Sequence, residues 1–155
     1  MLRGAALFAL GAIATFLFVG LQSAPAALEA APPAAMQQQA APEFLNPSSR
    51  IPFSEAVRYD GTLYLSGKLG LGGERGIEPE TRAALESIKD ALERHGSSMD
   101  RVMKCLVMLA DIEDYGGMNA VYAEFFPENP PARSALAVGG LVSNAKIEIE
   151  CLAAA

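Results

Sequence analysis

Residues 131–150 read PARSALAVGGLVSNAKIEIE, with Arg133 ahead of a short apolar run and Glu148 and Glu150 on the alternating run that follows. These residue types can do chemistry together. A guanidinium grips a carboxylate through two parallel hydrogen bonds, a fit that lysine cannot reproduce. A carboxylate can hold or deprotonate a water. On the last run Lys146, Glu148 and Glu150 share one side, while Ile147, Ile149 and Cys151 share the other. Spacing alone leaves two readings open: an arginine and a glutamate facing one pocket, or charges on the polar sides of two strands.

Composition excludes several other kinds of chemistry. Beyond Arg3, eleven Lys and Arg stand against 18 Asp and Glu, with no basic cluster of the kind nucleic-acid binding requires. His95 is the single histidine and there is no CxxC pair, so neither a metal site of protein ligands nor a bound cofactor is expected. The glycines at 70, 72, 73 and 76 match neither a phosphate loop nor a dinucleotide fingerprint. Cys105 and Cys151 fall inside apolar strand-like runs. They are expected as buried free thiols, with pairing left open in an oxidising compartment.

The elements that must position these residues follow a leader. Residues 5–21 are apolar and uncharged after Arg3, with small residues at 24–26. This is the pattern of a secretory signal peptide over residues 1–26, or of an uncleaved anchor, since a span takes roughly 20 residues. The folded part is therefore expected to be exported, soluble in the periplasm or anchored there. Residues 27–47, rich in Ala, Pro and Gln, read as a disordered tether. Residues 48–155 remain for one modest domain.

Within that domain, FSEAVR and the run from Thr62 flank Asp60-Gly61, a hairpin signal. Pro79, Glu78 and Glu80 suit a helix start; Leu85, Ile88 and Leu92 keep helical spacing until Gly96, with His95 at the C-terminal end. RVMKCLVMLA reads as a buried strand. Asp114 is placed to cap a second helix with Met118, Val121, Tyr122 and Phe125 on one face, ended by Pro127, Pro130 and Pro131. Strands over 134–138 and 145–152 close a β-β-α-β-α-β-β order, with a further early strand left open. Two helices cover one face of such an α+β sheet. The other face must meet solvent or another chain; strands that expose Tyr64, Leu106 or Ile147 there would favour a subunit interface, and association is expected.

The pieces PFSEAV, LYLSG, TRAALESIKDALERHG, VMKCLVML, MNAVYAEFF, and PPARS followed by KIEIE resemble, in this order over residues 52–152, the RidA (YjgF) family of reactive-intermediate deaminases. The resemblance implies a chorismate-mutase-like mixed β-sheet with two helices on one face. It also implies a homotrimer with ligand clefts between subunits, and hydrolysis of 2-imino acids, formed from enamines such as 2-aminoacrylate, to 2-keto acids and ammonia. It places the carboxylate-binding arginine at Arg133 and the water-positioning glutamate at Glu148. Pocket positions fall on Phe53, Ser66, Gly67 and Asn119.

Several positions depart from the family pattern. Phe53 stands where tyrosine is common, Lys68 where SGQ is usual, Ala135 where cysteine often follows PARS, and Gly139-Gly140 where a larger pair is frequent. The pocket's shape and polarity therefore differ. The alternative function is a non-catalytic module that binds small carboxylates in the exported compartment. A ribonuclease, a label attached to some relatives, fits poorly with the acidic balance.

Overall fold

The computed structural model describes residues 41–155. The leader and tether residues 27–40 lie outside the described residues. One mixed sheet carries the fold: β1 (Glu43–Pro47), β2 (Ser54–Tyr59), β3 (Thr62–Leu65), β4 (Lys68–Leu69), β5 (Val102–Leu109), β6 (Ala132–Ala137) and β7 (Ile147–Ala154). Its spatial order is β1-β2-β3-β7-β5-β6, with β4 also paired to β7. All pairings are antiparallel except β5 with β6, which run parallel because helix α2 (Tyr115–Phe125) forms the crossover between them. Helix α1 (Ile77–Arg94) connects the hairpin region to β5.

The β2–β3 hairpin turns at Asp60 (φ 46°) and Gly61 (φ 70°). Two consecutive positive φ values give the turn whose twist matches the strands, which is why Asp-Gly suits the position. Leu85, Ile88 and Leu92 of α1 are fully buried against Val107, Ile147 and Ile149. Each such side chain contributes about 1.5–3 kcal/mol. On β7 the odd positions from Ile147 to Ala153 are buried under the helices, whereas Glu148, Glu150 and Leu152 face away. Both helices thus cover one face, the chorismate-mutase-like architecture that the resemblance implies.

Several expectations need correction. The tether does not extend to 47, because Glu43–Pro47 pair with β2 from Glu43↔Arg58 to Pro47↔Ser54. EFLNP is too short to show a period of its own. The free edge of β2, the packing of Leu45 on the core and the 2.7 Å Glu43–Arg58 ion pair make it a strand. Ile147 belongs to the buried face; Tyr64 is exposed on the other and Leu106 is half-buried there. Asp114 does not cap α2 with its side chain. Asp111 accepts from Glu113 N at 3.0 Å instead, and Asp114 pairs with Lys146 at 3.2 Å.

The cysteines are not free. Cys105 on β5 and Cys151 on β7 lie directly opposite, with Cα atoms 4.1 Å apart, and form a disulfide. That spacing is typical of a non-hydrogen-bonded antiparallel pair, where side chains approach most closely. Reading each cysteine in its own apolar run could not show that the two strands place them face to face.

Glu80, read as a helix-dipole partner, is fully buried. Its carboxylate accepts from Lys146 N at 2.6 Å and pairs with Arg75 at 2.8 Å, tying the start of α1 to the segment before β7.

His95 does close α1 through its peptide N–H, but its ring reaches Glu55, with Nε2 3.1 Å from Oε2. Glu55 also meets Arg94 at 2.6 Å and Lys68 at 3.2 Å. Burial alone would raise its carboxyl pKa; the hydrogen bonds from Arg94, Asn46 and His95 and the charge of Lys68 outweigh this and hold it at about 2, against 4.5 ordinarily. A depressed carboxyl contributes stability that is complete above pH ~4.5 and lost as pH falls toward 2. Glu55→Gln is therefore expected to lower stability by about 1–2 kcal/mol at pH 7, after allowance for solvent screening, and to flatten acid unfolding in that window. Urea melts at pH 7 and pH 3 check this; equal differences at both would contradict it.

Candidate functional site

Pro130 and Pro131 cannot donate to a ladder. β6 accordingly begins at Ala132, at the outer edge of the sheet, with Arg133 opposite Cys105. Because Cys105 is buried beneath the helices, Arg133 also points to the helix side, toward α2. Its Nη2 donates to Asn119 Oδ1 at 2.6 Å and to Tyr115 Oη at 3.2 Å, and Nη1 lies 3.6 Å from Met118 Sδ. Its Cζ stands 4.5 Å above the Tyr122 ring and 5.7 Å from that of Tyr115. Arg133, Asn119, Tyr115 and Tyr122, with Ala135 and the prolines, line a cleft of about 590 Å³.

Every partner of the Arg133 side chain is electrically neutral. Among the described residues no carboxylate stands within ion-pair distance of its guanidinium, whereas Arg58, Arg75, Arg82 and Arg94 each have one. Asn119 thus anchors the arginine rather than merely solvating its helix. Tyr115 and Tyr122 were not singled out by sequence reasoning. Spacing placed Tyr122 on the core face of α2, and only the crossover brings Arg133 onto it. The hydrogen bonds of Asn119 and Arg133 and the arginine's charge lower the pKa of the Tyr115 phenol. Burial pushes that of Tyr122 up to about 12 despite the same charge, and its hydroxyl has no hydrogen-bond partner among the described residues.

Glu148 stands elsewhere. It lies opposite Met108 on β5, three residues beyond Cys105 and so on the opposite face of the sheet. Its carboxylate rests against Gly67 in the break between β3 and β4, where a Cβ would collide with Glu148 Oε1. This close approach is what the glycine permits. Ser66 donates its hydroxyl to Ser54 O at 2.7 Å, directly after the exposed Phe53. Lys68, of the altered SGK motif, is turned to Glu55. The candidate residues therefore fall into two separate groups: Arg133 of β6 with Asn119 of α2 on the helix side of the sheet, and Glu148 with Gly67 on the open face, beside Ser66. One chain by itself does not bring Arg133 and Glu148 into one pocket.

A family model described as Endoribonuclease L-PSP matches residues 44–155. The chain belongs to that family, the RidA (YjgF) family. Reactive Intermediate Deaminase A, chloroplastic, of Arabidopsis thaliana is 39% identical over 113 residues, a match spanning 69% of this chain and 60% of that protein. The human 2-iminobutanoate/2-iminopropanoate deaminase is 36% identical over 108 residues, 66% of this chain and 79% of that one. The crystal structure of the Rid-family protein YyfA from Yersinia pestis superposes with a TM-score of 0.70 at 30% identity, covering 74% of this chain and all of the other. The RidA family thus accounts for the mixed sheet and the two-helix layer.

Proposed function

We propose that this RidA-family protein hydrolyses 2-imino acids to 2-keto acids and ammonia, in sites assembled between the subunits of a homotrimer. Arg133 and Asn119 come from one chain; Glu148, Gly67, Ser66 and Phe53 come from the next. The observation that carries the reading is the guanidinium of Arg133, held over a cleft by neutral groups alone. Its charge is uncompensated, and a substrate carboxylate completes it. The names of the deaminase relatives supply the rest of the substrate.

Arg133 fixes the carboxylate and therefore the neighbouring imine carbon. Glu148 takes a proton from water as the oxygen bonds to that carbon, and the C=N electron pair moves to nitrogen. Glu148 hands that proton to the nitrogen, leaving a neutral carbinolamine; it then takes the carbinolamine's hydroxyl proton and passes it to the amine as the carbon–nitrogen bond breaks, so that the keto group forms and ammonia leaves. Phe53 supplies an apolar wall. Exposed Tyr64, Leu136 and Phe53 support burial of the open face and its edge against another chain.

Export is part of the proposal. The apolar run at 5–21 and the Cys105–Cys151 disulfide both fit an oxidising compartment. A ribonuclease reading, invited by the family description, is not favoured. One uncompensated guanidinium suits a single carboxylate better than a chain of phosphates.

The test is the decay of 2-iminobutanoate generated in situ with the purified protein. Decay well above the buffer rate is expected. Decay at the buffer rate would overturn the reading, and binding of 2-oxobutanoate without turnover would favour the carboxylate-binding module instead.

A further inference from the structure

The hydroxyl of Tyr115 has an unusual set of neighbours. It lines the cleft, belongs to a residue 41% exposed, and accepts from Arg133 Nη2 at 3.2 Å. With donors around its oxygen and no protein acceptor for its own proton among the described residues, that proton is directed to the cleft. The arginine is also over-engaged on one nitrogen. Both hydrogens of Nη2 are used, on Asn119 at 2.6 Å and on Tyr115 at 3.2 Å. A two-pronged grip on a carboxylate needs an Nη2 hydrogen, so one of these bonds must yield. The longer one, to Tyr115, is the weaker.

We propose that Tyr115 is a ligand-binding residue of this cleft: a ligand carboxylate takes its place on Arg133, and the released hydroxyl donates a third hydrogen bond to that carboxylate. This rests on the carboxylate-binding reading of the cleft and deepens it. It adds a donor that arginine alone does not provide, and it predicts selection for the carboxylate over its ester or amide. A phenol that must be protonated to donate also makes binding sensitive to alkali. Above the lowered Tyr115 pKa the free protein holds a phenolate, which has no proton to give and repels the ligand.

Other ionisable groups surround this position. Arg133 comes from β6, Tyr122 from α2 with its phenol at about 12, Glu78 from α1 near Gly117, and the Asp114–Lys146 pair from the segments preceding α2 and β7. All are retained when only the hydroxyl of Tyr115 is removed.

The test is calorimetric binding of 2-oxobutanoate to the full-length protein and to Tyr115→Phe between pH 6 and 10, with thermal melts and imine turnover measured in parallel. Tyr115→Phe, which keeps the ring beside Arg133, is expected to weaken binding about tenfold at pH 7. Wild-type affinity is expected to fall with rising pH, from below the ordinary tyrosine range, and the variant is expected to lose that limb. Equal affinities at pH 7, or an alkaline limb unchanged in Tyr115→Phe, would overturn the proposal while leaving the deaminase reading intact. Wild-type protein that neither binds the keto acid nor turns over the imine would overturn both.

Discussion

Arg133→Ala is expected to lower kcat/KM for 2-iminobutanoate by roughly a hundred- to several-thousand-fold. Two charge-assisted hydrogen bonds to a carboxylate are worth about 3–5 kcal/mol together, and each 1.4 kcal/mol is about tenfold in rate. Arg133→Lys keeps the charge but loses the planar fork, so an intermediate loss is expected. Glu148→Gln keeps size and hydrogen bonding but cannot take the water's proton, a loss of roughly 10²–10⁴ in kcat. These changes should separate kinetically. The arginine variant raises KM as well as lowering kcat, because the carboxylate is held from ground state to product, whereas the glutamate variant acts mainly on kcat. An Arg133→Ala protein that melts normally and keeps full activity would sink the mechanism.

The second large effect concerns stability. The Cys105–Cys151 bridge closes a separation of 46 residues and ties β5 to β7 at the centre of the sheet. Loop-closure entropy for such a span corresponds to about 4 kcal/mol. Replacing both cysteines with alanine is expected to lower the melting midpoint by more than about 10 °C, as is unfolding under strong reductant. Thiol titration of the denatured, unreduced protein should find no free thiol. Two titratable thiols, and melts unchanged by reductant, would show that the cysteines act as small core residues and would remove one support for an oxidising compartment.

Much of the fold was legible because periodic features are local. The spacing of Leu85, Ile88 and Leu92, the Asp60-Gly61 turn and the alternation of KIEIE each state their own structure, and the crossover helix follows from its position between two strands. What was not legible depends on pairing between distant segments. EFLNP becomes a strand only against the edge of β2. Cys105 and Cys151 meet only when β5 and β7 are set in register. Glu55 reads as one charge in FSEAVR, yet it gathers Arg94, His95 and Lys68.

The candidate site divides in the same way. Arg133, Glu148, Gly67 and Asn119 were identified through the family pattern. Their distribution over two faces of one sheet required the registers of β6 and β7 on β5. Tyr115 carried no spacing signal at all, since its place beside Arg133 is set by the α2–β6 connection.

Because one chain holds Arg133 and Glu148 on opposite faces, the central claim is that a productive site takes one residue from each of two subunits. Arg133→Ala and Glu148→Gln proteins, each inactive alone, can be unfolded together in equal amounts, reassembled, and assayed for 2-iminobutanoate decay. In a symmetric ring each site draws its arginine from one chain and its glutamate from the neighbour, so random mixing should restore about a quarter of wild-type activity. A mixed assembly as inactive as its parents would contradict the account.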